Sequence, residues 1–454
     1  MKKQTFVTLT AAFALCTACQ SPKPTETVHL KGQLVEMGTN PVIMAYNGAA
    51  SMLGDSRDIP IHTDENGYFD TIITLKEPAY FNIRRNTLYL TPGDDMTVCI
   101  TSHNKEATFQ GIGAQANNYM KYRLFPKGGS YIEGGSNLRG SFEATRVLVD
   151  SLAEIRKKEL AQLDSVSEEF KLLERARIQA DVLNSYLSYY NYASIYSQFT
   201  DREAMHRQYK EFLQEVTPYA KSMYPSLIDE KFLNVAVVRD VLHNLFDEES
   251  TSWAEGLNIP ARTRELYEAY KYISLLRRQA NKASVDSVGT FVASMQYSDL
   301  AHELNLKVEQ ASQLLPGKPA FDMILTDLEG HTHHLSEFKG KVLYLDFWAT
   351  WCGPCMQESP HFEALSKEYV GKDILFIPIS QDTNHKAWTG YLEGHKKNLP
   401  QYNSVDNTAR TNWQIFYLPR FMVIDQHFNI VDAYAPAPSD KESIKAILNT
   451  LLNP

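Results

Sequence analysis

The sequence predicts a multidomain chain with an N-terminal antiparallel β-sandwich, a helical middle region and a C-terminal α/β domain. Three observations carry this reading. Apolar residues alternate with period two from residue 28 to about residue 109. From residue 142 to 316 the spacing becomes helical. Beyond Pro316-Gly317-Lys318-Pro319, short apolar runs alternate with helical stretches, as in a sheet covered by helices. A chain of 454 residues is too long for one typical core, so two to three domains are expected. The boundaries implied are 1–18 (signal), 19–27 (tether), 28–111 (sandwich), 112–315 (helices) and 316–454 (α/β).

The first residues read as an export signal. Lys2 and Lys3 supply the positive start, and residues 6–15 form an apolar run interrupted by Thr8 and Thr10. That run is too short to span a bilayer. Thr17 and Ala18 then precede Cys19, which resembles the lipobox of bacterial lipoproteins, where this cysteine is acylated and becomes the mature N-terminus. An ordinary secretory signal cleaved near Ala18 is the alternative. The Pro- and Ser-containing stretch that follows suits an extended tether. The expected location is the cell envelope, with a lipid anchor in the outer membrane facing the periplasm.

In the sandwich region, Val28, Leu30 and Leu34 alternate with His29, Lys31 and Gln33, and shorter runs follow at 42–46, 68–75, 80–83, 88–90 and 96–100. Glu65-Asn66-Gly67 and Pro92-Gly93-Asp94 supply turns, the second suited to type II. Cys99 falls inside a strand and reads as a small buried apolar side chain. In the helical region Leu148, Leu152 and Ile155 open the pattern, and Thr200 with Glu203 suits a capping box. Pro218, Pro225 and Pro260 punctuate the helices. Tyr186, Tyr189, Tyr190, Tyr192 and Tyr196 suit a helix packed against a neighbouring domain, with a partner groove as the alternative. Gly128-Gly129 and Gly134-Gly135 lack the surroundings of a phosphate loop and read as loop.

In the last region strands are expected at 321–325, 342–348, 374–379, 421–424 and 430–434, with helices at 352–369, 386–395 and 441–452. The strand at 342–348 runs directly into Trp351-Cys352-Gly353-Pro354-Cys355. Thiols at i and i+3 suit a reversible disulfide, and a helix N-terminus favours the thiolate. Five cysteines, two of them in the signal region, cannot build a disulfide framework. A zinc site would need further ligands, and no second CxxC or finger-spaced histidine pair exists. His331, His333 and His334 read as surface strand histidines, so no metal and no cofactor are expected. The net charge of −9 gives no support for nucleic-acid binding.

Trp348-Ala349-Thr350-Trp351-Cys352-Gly353-Pro354-Cys355, Gly340-Lys341-Val342 before it and Leu418-Pro419 after it resemble the thioredoxin superfamily. Together with Gly317-Lys318-Pro319-Ala320-Phe321 and Asp327-Leu328-Glu329-Gly330, they resemble its TlpA- and ResA-like branch of membrane-tethered disulfide reductases. The resemblance covers about 316–454 and implies a thioredoxin-like fold there. It implies that Cys352 attacks and Cys355 resolves, with Asp346 and Glu358 as candidate proton carriers. It further implies substrate contact through Trp351, Gly353, Pro354 and Leu418, a cis-proline at Pro419 and a helix kink at Pro360. The Gly-Pro dipeptide implies a reductant rather than an oxidant. Arg420 departs from the threonine often found after the proline, which bears on substrate preference. The partners implied are disulfide-containing client proteins and an upstream thiol electron donor. A peroxidase would expect Thr-x-x-Cys, and a copper carrier a wider CxxxC. An envelope protein binding a partner or glycan, with an accessory redox domain, is the alternative of a different class.

Overall fold

In the computed structural model the described residues are 26–453, apart from 103–105, 122–129, 196–200, 247–252, 396 and 405–407. Cys19 and the signal, nearly all of the tether, Gly128-Gly129, Tyr196 and Thr200 lie outside them.

The N-terminal region holds eight strands: β1 (Thr27–Leu34), β2 (Val42–Tyr46), β3 (Ile59–Ile61), β4 (Tyr68–Thr74), β5 (Ala79–Ile83), β6 (Asn86–Leu90), β7 (Asp95–Ile100) and β8 (Thr108–Ile112). They form two four-stranded sheets, ordered β4-β1-β7-β8 and β3-β2-β5-β6. One apolar cluster draws on both, from Leu30 and Val98 in the first to Met44 and Phe81 in the second. The ladders are not all antiparallel, because β1 pairs with β7 in parallel. A side-chain alternation of two is the same for either direction, so the pattern could not reveal this. Parallel pairing needs a long crossover, and here β2–β6 provide it. At Gly32, opposite Val98, a Cβ would fall 1.8 Å from the Val98 carbonyl oxygen, so only glycine lets the two strands approach. The Pro92-Gly93 turn is as expected, with Gly93 at φ 96° and the Asp94 N–H donating to Thr91 O at 3.0 Å. Cys99 is half-buried rather than buried. Met96, Val98 and Ile100 take the core face of β7, which turns Cys99 to the other.

The middle region contains α1 (Ala114–Met120), α2 (Phe142–Ala161), α3 (Glu168–Ile195), α4 (Arg202–Met223), α5 (Ala236–His243), α6 (Ala261–Arg278), α7 (Lys282–Ser294) and α8 (Ser298–Ser312). Asp201 caps α4 by accepting from the Glu203 N–H, in place of the expected Thr200. Pro218 lies inside α4 instead of ending it. The apolar face of Phe212, Val216 and Ala220 continues across it, and burial of that face outweighs the lost hydrogen bond. Tyr186, Tyr189 and Tyr190 of α3 pack within the helical region rather than against another domain. Phe142 of α2 meets Tyr186 and Tyr189 edge-on at 5.7 and 5.5 Å, and Phe212 of α4 stacks on Tyr190. Contact with the sheets runs instead through Tyr80 and Tyr89. The Tyr80 hydroxyl donates to Glu174 Oε1 at 2.9 Å, and Glu174 is paired with Arg177 at 2.9 Å, both buried.

The C-terminal region adds β9 (Ile324–Thr326), β10 (Thr332–His334), β11 (Val342–Trp348), α9 (Gly353–Glu368), β12 (Ile374–Ser380), α10 (His385–Gly394), β13 (Tyr402–Asn403), α11 (Thr408–Thr411), β14 (Arg420–Ile424), β15 (Ile430–Asp432) and α12 (Lys441–Leu452). The sheet order is β10-β9-β13-β12-β11-β14-β15. Central β11 is parallel to β12 and antiparallel to β14, and every one of its residues is buried. Leu343, Leu345 and Phe347 face one apolar layer, while Val342 and Tyr344 face the layer containing Phe362 of α9 and Leu448 of α12. This two-faced burial explains why the strand reads as a continuous apolar run. The region is joined to the helices where the Tyr434 hydroxyl donates to Leu276 O at 3.0 Å and the Arg277 guanidinium lies 5.0 Å from the Phe416 ring centre. Among the described residues no helix is long and apolar enough to cross a membrane.

Candidate active site

Cys352 caps α9 and Cys355 lies in its first turn. The two form a disulfide with Cα atoms 5.3 Å apart, and the Cys355 N–H donates to Cys352 Sγ at 3.2 Å. A sulfur therefore satisfies one of the backbone donors that a helix N-terminus leaves unpaired. Both cysteines are buried, Cys352 at 5% exposure and Cys355 at 2%. Their surroundings are apolar: Trp348, Ala349, Trp388 and Leu392, with Met356, Tyr391 and Leu418 packed alongside.

The turn before the pair is held by a carboxylate that the sequence reading did not single out. Buried Asp382 accepts from the Thr350 N–H at 2.9 Å, the Thr350 hydroxyl at 2.7 Å and the Ser380 hydroxyl at 2.8 Å. Asn403 of β13 donates to the Ser380 and Asp382 carbonyls, which locks the end of β12 beside the turn. Nothing local marked Asp382, because the turn residue it holds, Thr350, lies 32 residues away. Trp388 was missed for the same reason.

Asp346 sits on β11. Alternation along the strand places it on the same face as Tyr344 and Trp348, the side that carries α9. It is 4% exposed, and one carboxylate oxygen has no hydrogen-bond partner. Burial pushes its pKa from 3.8 up to about 7; Lys397 pulls it down and the charge of Glu358 raises it further. Glu358, one turn beyond Cys355, is itself engaged, accepting from the Ser439 N–H at 3.1 Å and the Ser439 hydroxyl at 2.8 Å.

The Leu418–Pro419 peptide bond is cis. Pro419, Pro354 and Glu358 line one open cleft of about 730 Å³, so residues far apart in sequence meet there. Trp351, next to Cys352 in the chain, is 71% exposed and is not among the residues lining this cleft. Gly353 begins α9, and a Cβ added to it would meet open space, so no packing constraint demands glycine. Pro360 lies inside α9. Arg420 is buried at the start of β14, where its Nε donates to Ala433 O at 2.7 Å and its guanidinium stacks on Tyr434 at 3.3 Å. The histidines of β10 lie apart from this cleft. His331 and His333 both contact Asp327 at 3.1 Å, and Asp327, Glu329 and His331 could converge on one point.

A redoxin family model matches residues 315–448. Thiol-disulfide oxidoreductase ResA of Geobacillus kaustophilus is 43% identical over 111 residues, 24% of this chain and 64% of that protein. ResA of Bacillus thuringiensis is 30% identical over 115 residues, 25% of this chain and 66% of that protein. The chain thus spans just under two thirds of the length of these curated relatives. A crystal structure from Bacteroides vulgatus, described provisionally as a thiol-disulfide oxidoreductase, is 58% identical and covers 31% of this chain and 99% of that one, with a TM-score of 0.31. Residues 315–448 thus form a redoxin domain similar to the ResA-type thiol-disulfide oxidoreductases, which places that domain in the TlpA/ResA-like branch of the thioredoxin superfamily.

Proposed function

We propose that this protein is an extracytoplasmic thiol–disulfide oxidoreductase that reduces protein disulfides through Cys352 and Cys355 and is held to the outer membrane, facing the periplasm, by a lipid on Cys19. The observation that carries the redox reading is the Cys352–Cys355 pair at the start of α9, set in an apolar nest, with Asp346 buried on the strand that leads into it. In the reduced enzyme the Cys352 thiolate, favoured by the helix N-terminus, attacks one sulfur of a client disulfide. A mixed disulfide forms and the other client sulfur leaves as a thiolate. Cys355 then gives its proton to the Asp346 carboxylate and attacks Cys352 Sγ, which releases the second client thiol and closes the intramolecular disulfide. Two electrons have passed from the enzyme dithiol to the client. An upstream dithiol donor, attacking the same disulfide, restores the starting state.

A carboxyl titrating near pH 7 suits this step, since it is partly ionised to accept the proton and partly protonated to return it. Glu358 adds to burial in raising the Asp346 pKa, and Pro419 presents its backbone to the client. Trp351 and Leu418 provide apolar surface beside the dithiol. The two N-terminal sheets, sharing one core, are read as a sandwich that supports the helices and holds the redox domain away from the tether.

Reduction of insulin by the purified protein under a dithiol donor tests the activity; absence of turnover overturns it. Cys355→Ser should accumulate mixed disulfides with clients in cells. Labelling by a palmitate analogue should vanish in Cys19→Ala, and labelling that persists there would remove the anchor from this reading.

A further inference from the structure

The cleft beside the redox pair is not made by the redoxin domain alone. Its lining joins Pro354, Glu358, Tyr417 and Pro419 to Arg277 and Arg278 at the C-terminal end of α6, in the helical region. Arg278 is exposed and donates from Nε to Ser274 O within its own helix; Arg277 is half-buried against Phe416. Neither has an ion-pair partner among the described residues. Arg420 adds a third positive charge beneath the cleft, with one terminal nitrogen lacking a hydrogen-bond partner and Asp432 close enough to temper it. The lining also holds one carboxylate, Glu358, hydrogen-bonded to Ser439, which offsets one of these three positive charges. A chain of net charge −9 therefore presents a cationic cleft at its reactive disulfide.

We propose that this cleft is the client-binding site and that Arg277 and Arg278 select polypeptide disulfides whose cysteines are flanked by acidic side chains. The proposal rests on the reductase reading. A client segment with its cysteine at Cys352 lies along Pro419 and Tyr417, and this brings neighbouring side chains under the end of α6. Aspartate or glutamate there meets unpaired guanidinium groups, which grip carboxylates bidentately. Lysine or arginine meets like charge and is turned away. The helical region thus contributes specificity to a reaction whose chemistry lies wholly in the C-terminal domain.

The test uses the purified protein and three disulfide peptides that differ only in the residues flanking each cysteine: Asp, Ser or Lys. The expected order of kcat/KM is Asp, Ser, Lys, with an Asp-to-Lys ratio of about tenfold at low ionic strength that shrinks as salt is added. In the Arg277→Gln/Arg278→Gln variant the ratio should fall to near one, and in Arg277→Lys/Arg278→Lys most of it should survive. Because Arg277 touches Phe416, the exposed single change Arg278→Glu serves as a second variant and should shift preference toward the Lys peptide. A flat or reversed order in the wild type, or an unchanged ratio in these charge variants, overturns the proposal. Turnover of the Ser peptide reports on the reductase reading separately. If no peptide is reduced, that reading fails, and binding of fluorescent Cys-to-Ala versions of the same peptides still decides the charge preference. Tighter binding of the Asp peptide upholds it and equal affinities overturn it.

Discussion

Cys352 and Cys355 are positioned by what immediately adjoins them in sequence, a buried strand, a tight turn and a helix start. Arg277 and Arg278 reach the same cleft from the other side of the Pro316–Pro319 boundary, on a helix whose own pattern says nothing about redox chemistry. The first wall is chemistry carried by local structure. The second is a surface brought to the cleft by contacts across the interface, Tyr434 to Leu276 and Arg277 to Phe416. The contrast teaches that reactivity and selectivity in this molecule are separable, and mutations should affect them separately.

The largest effect is expected at the local wall. Cys352→Ser should abolish turnover and leave the fold and the binding of acidic peptides in place. Loss of both together would mean that the two walls are one unit. Next is Arg177→Met, within the contact between sheets and helices. It leaves buried Glu174 without its neutralising cation, with the Tyr80 hydroxyl still donating, and should cost about 3–5 kcal/mol in a denaturant titration. If reduction rates per folded molecule fell as well, the N-terminal regions would be more than support.

Asp346→Asn should slow client release about 10²-fold near pH 7, read as a longer-lived mixed disulfide in rapid-quench experiments. The same change has a signed effect on stability. Asp346 binds its proton more tightly when folded, so the wild type pays nothing below about pH 4, loses stability as pH rises from 4 to 7, and carries the full penalty above about 7. The variant should therefore gain stability at pH 8, by up to about 4 kcal/mol for a shift of roughly three units, and gain nothing at pH 4. A gain that is equal at both pH values would show that Asp346 titrates normally. The smallest effect is expected for Tyr434→Phe, which keeps the ring under Arg420 and removes the hydroxyl that bonds Leu276. It should cost about 0.5–1.5 kcal/mol and weaken acidic-peptide selection without changing the release step.

Much of the C-terminal domain was legible. The fully buried β11 read as a strand because every residue in it is apolar or aromatic except Asp346, and α12 was read at its observed limits. Two-residue β13 was not read, since it carries no period, whereas the histidines of β10 were placed on a surface strand. In the N-terminal region the strands were visible and their pairing was not, because the β1–β7 ladder joins segments more than sixty residues apart. Asp382 and Trp388 escaped for the same reason, being defined by partners across the sheet.

The sequence by itself determined where the dithiol lies, which strand and helix carry it, and which acid precedes it. These follow from local rules: alternation, helix-terminus chemistry and the short reach of a CxxC turn. Only the tertiary structure decided that Asp346 is buried enough to titrate near neutrality, that Asp382 clamps the turn, and that α6 closes one side of the cleft. Burial, low polarity and the meeting of charges from distant segments are properties of the folded volume, and no spacing along a chain encodes them directly.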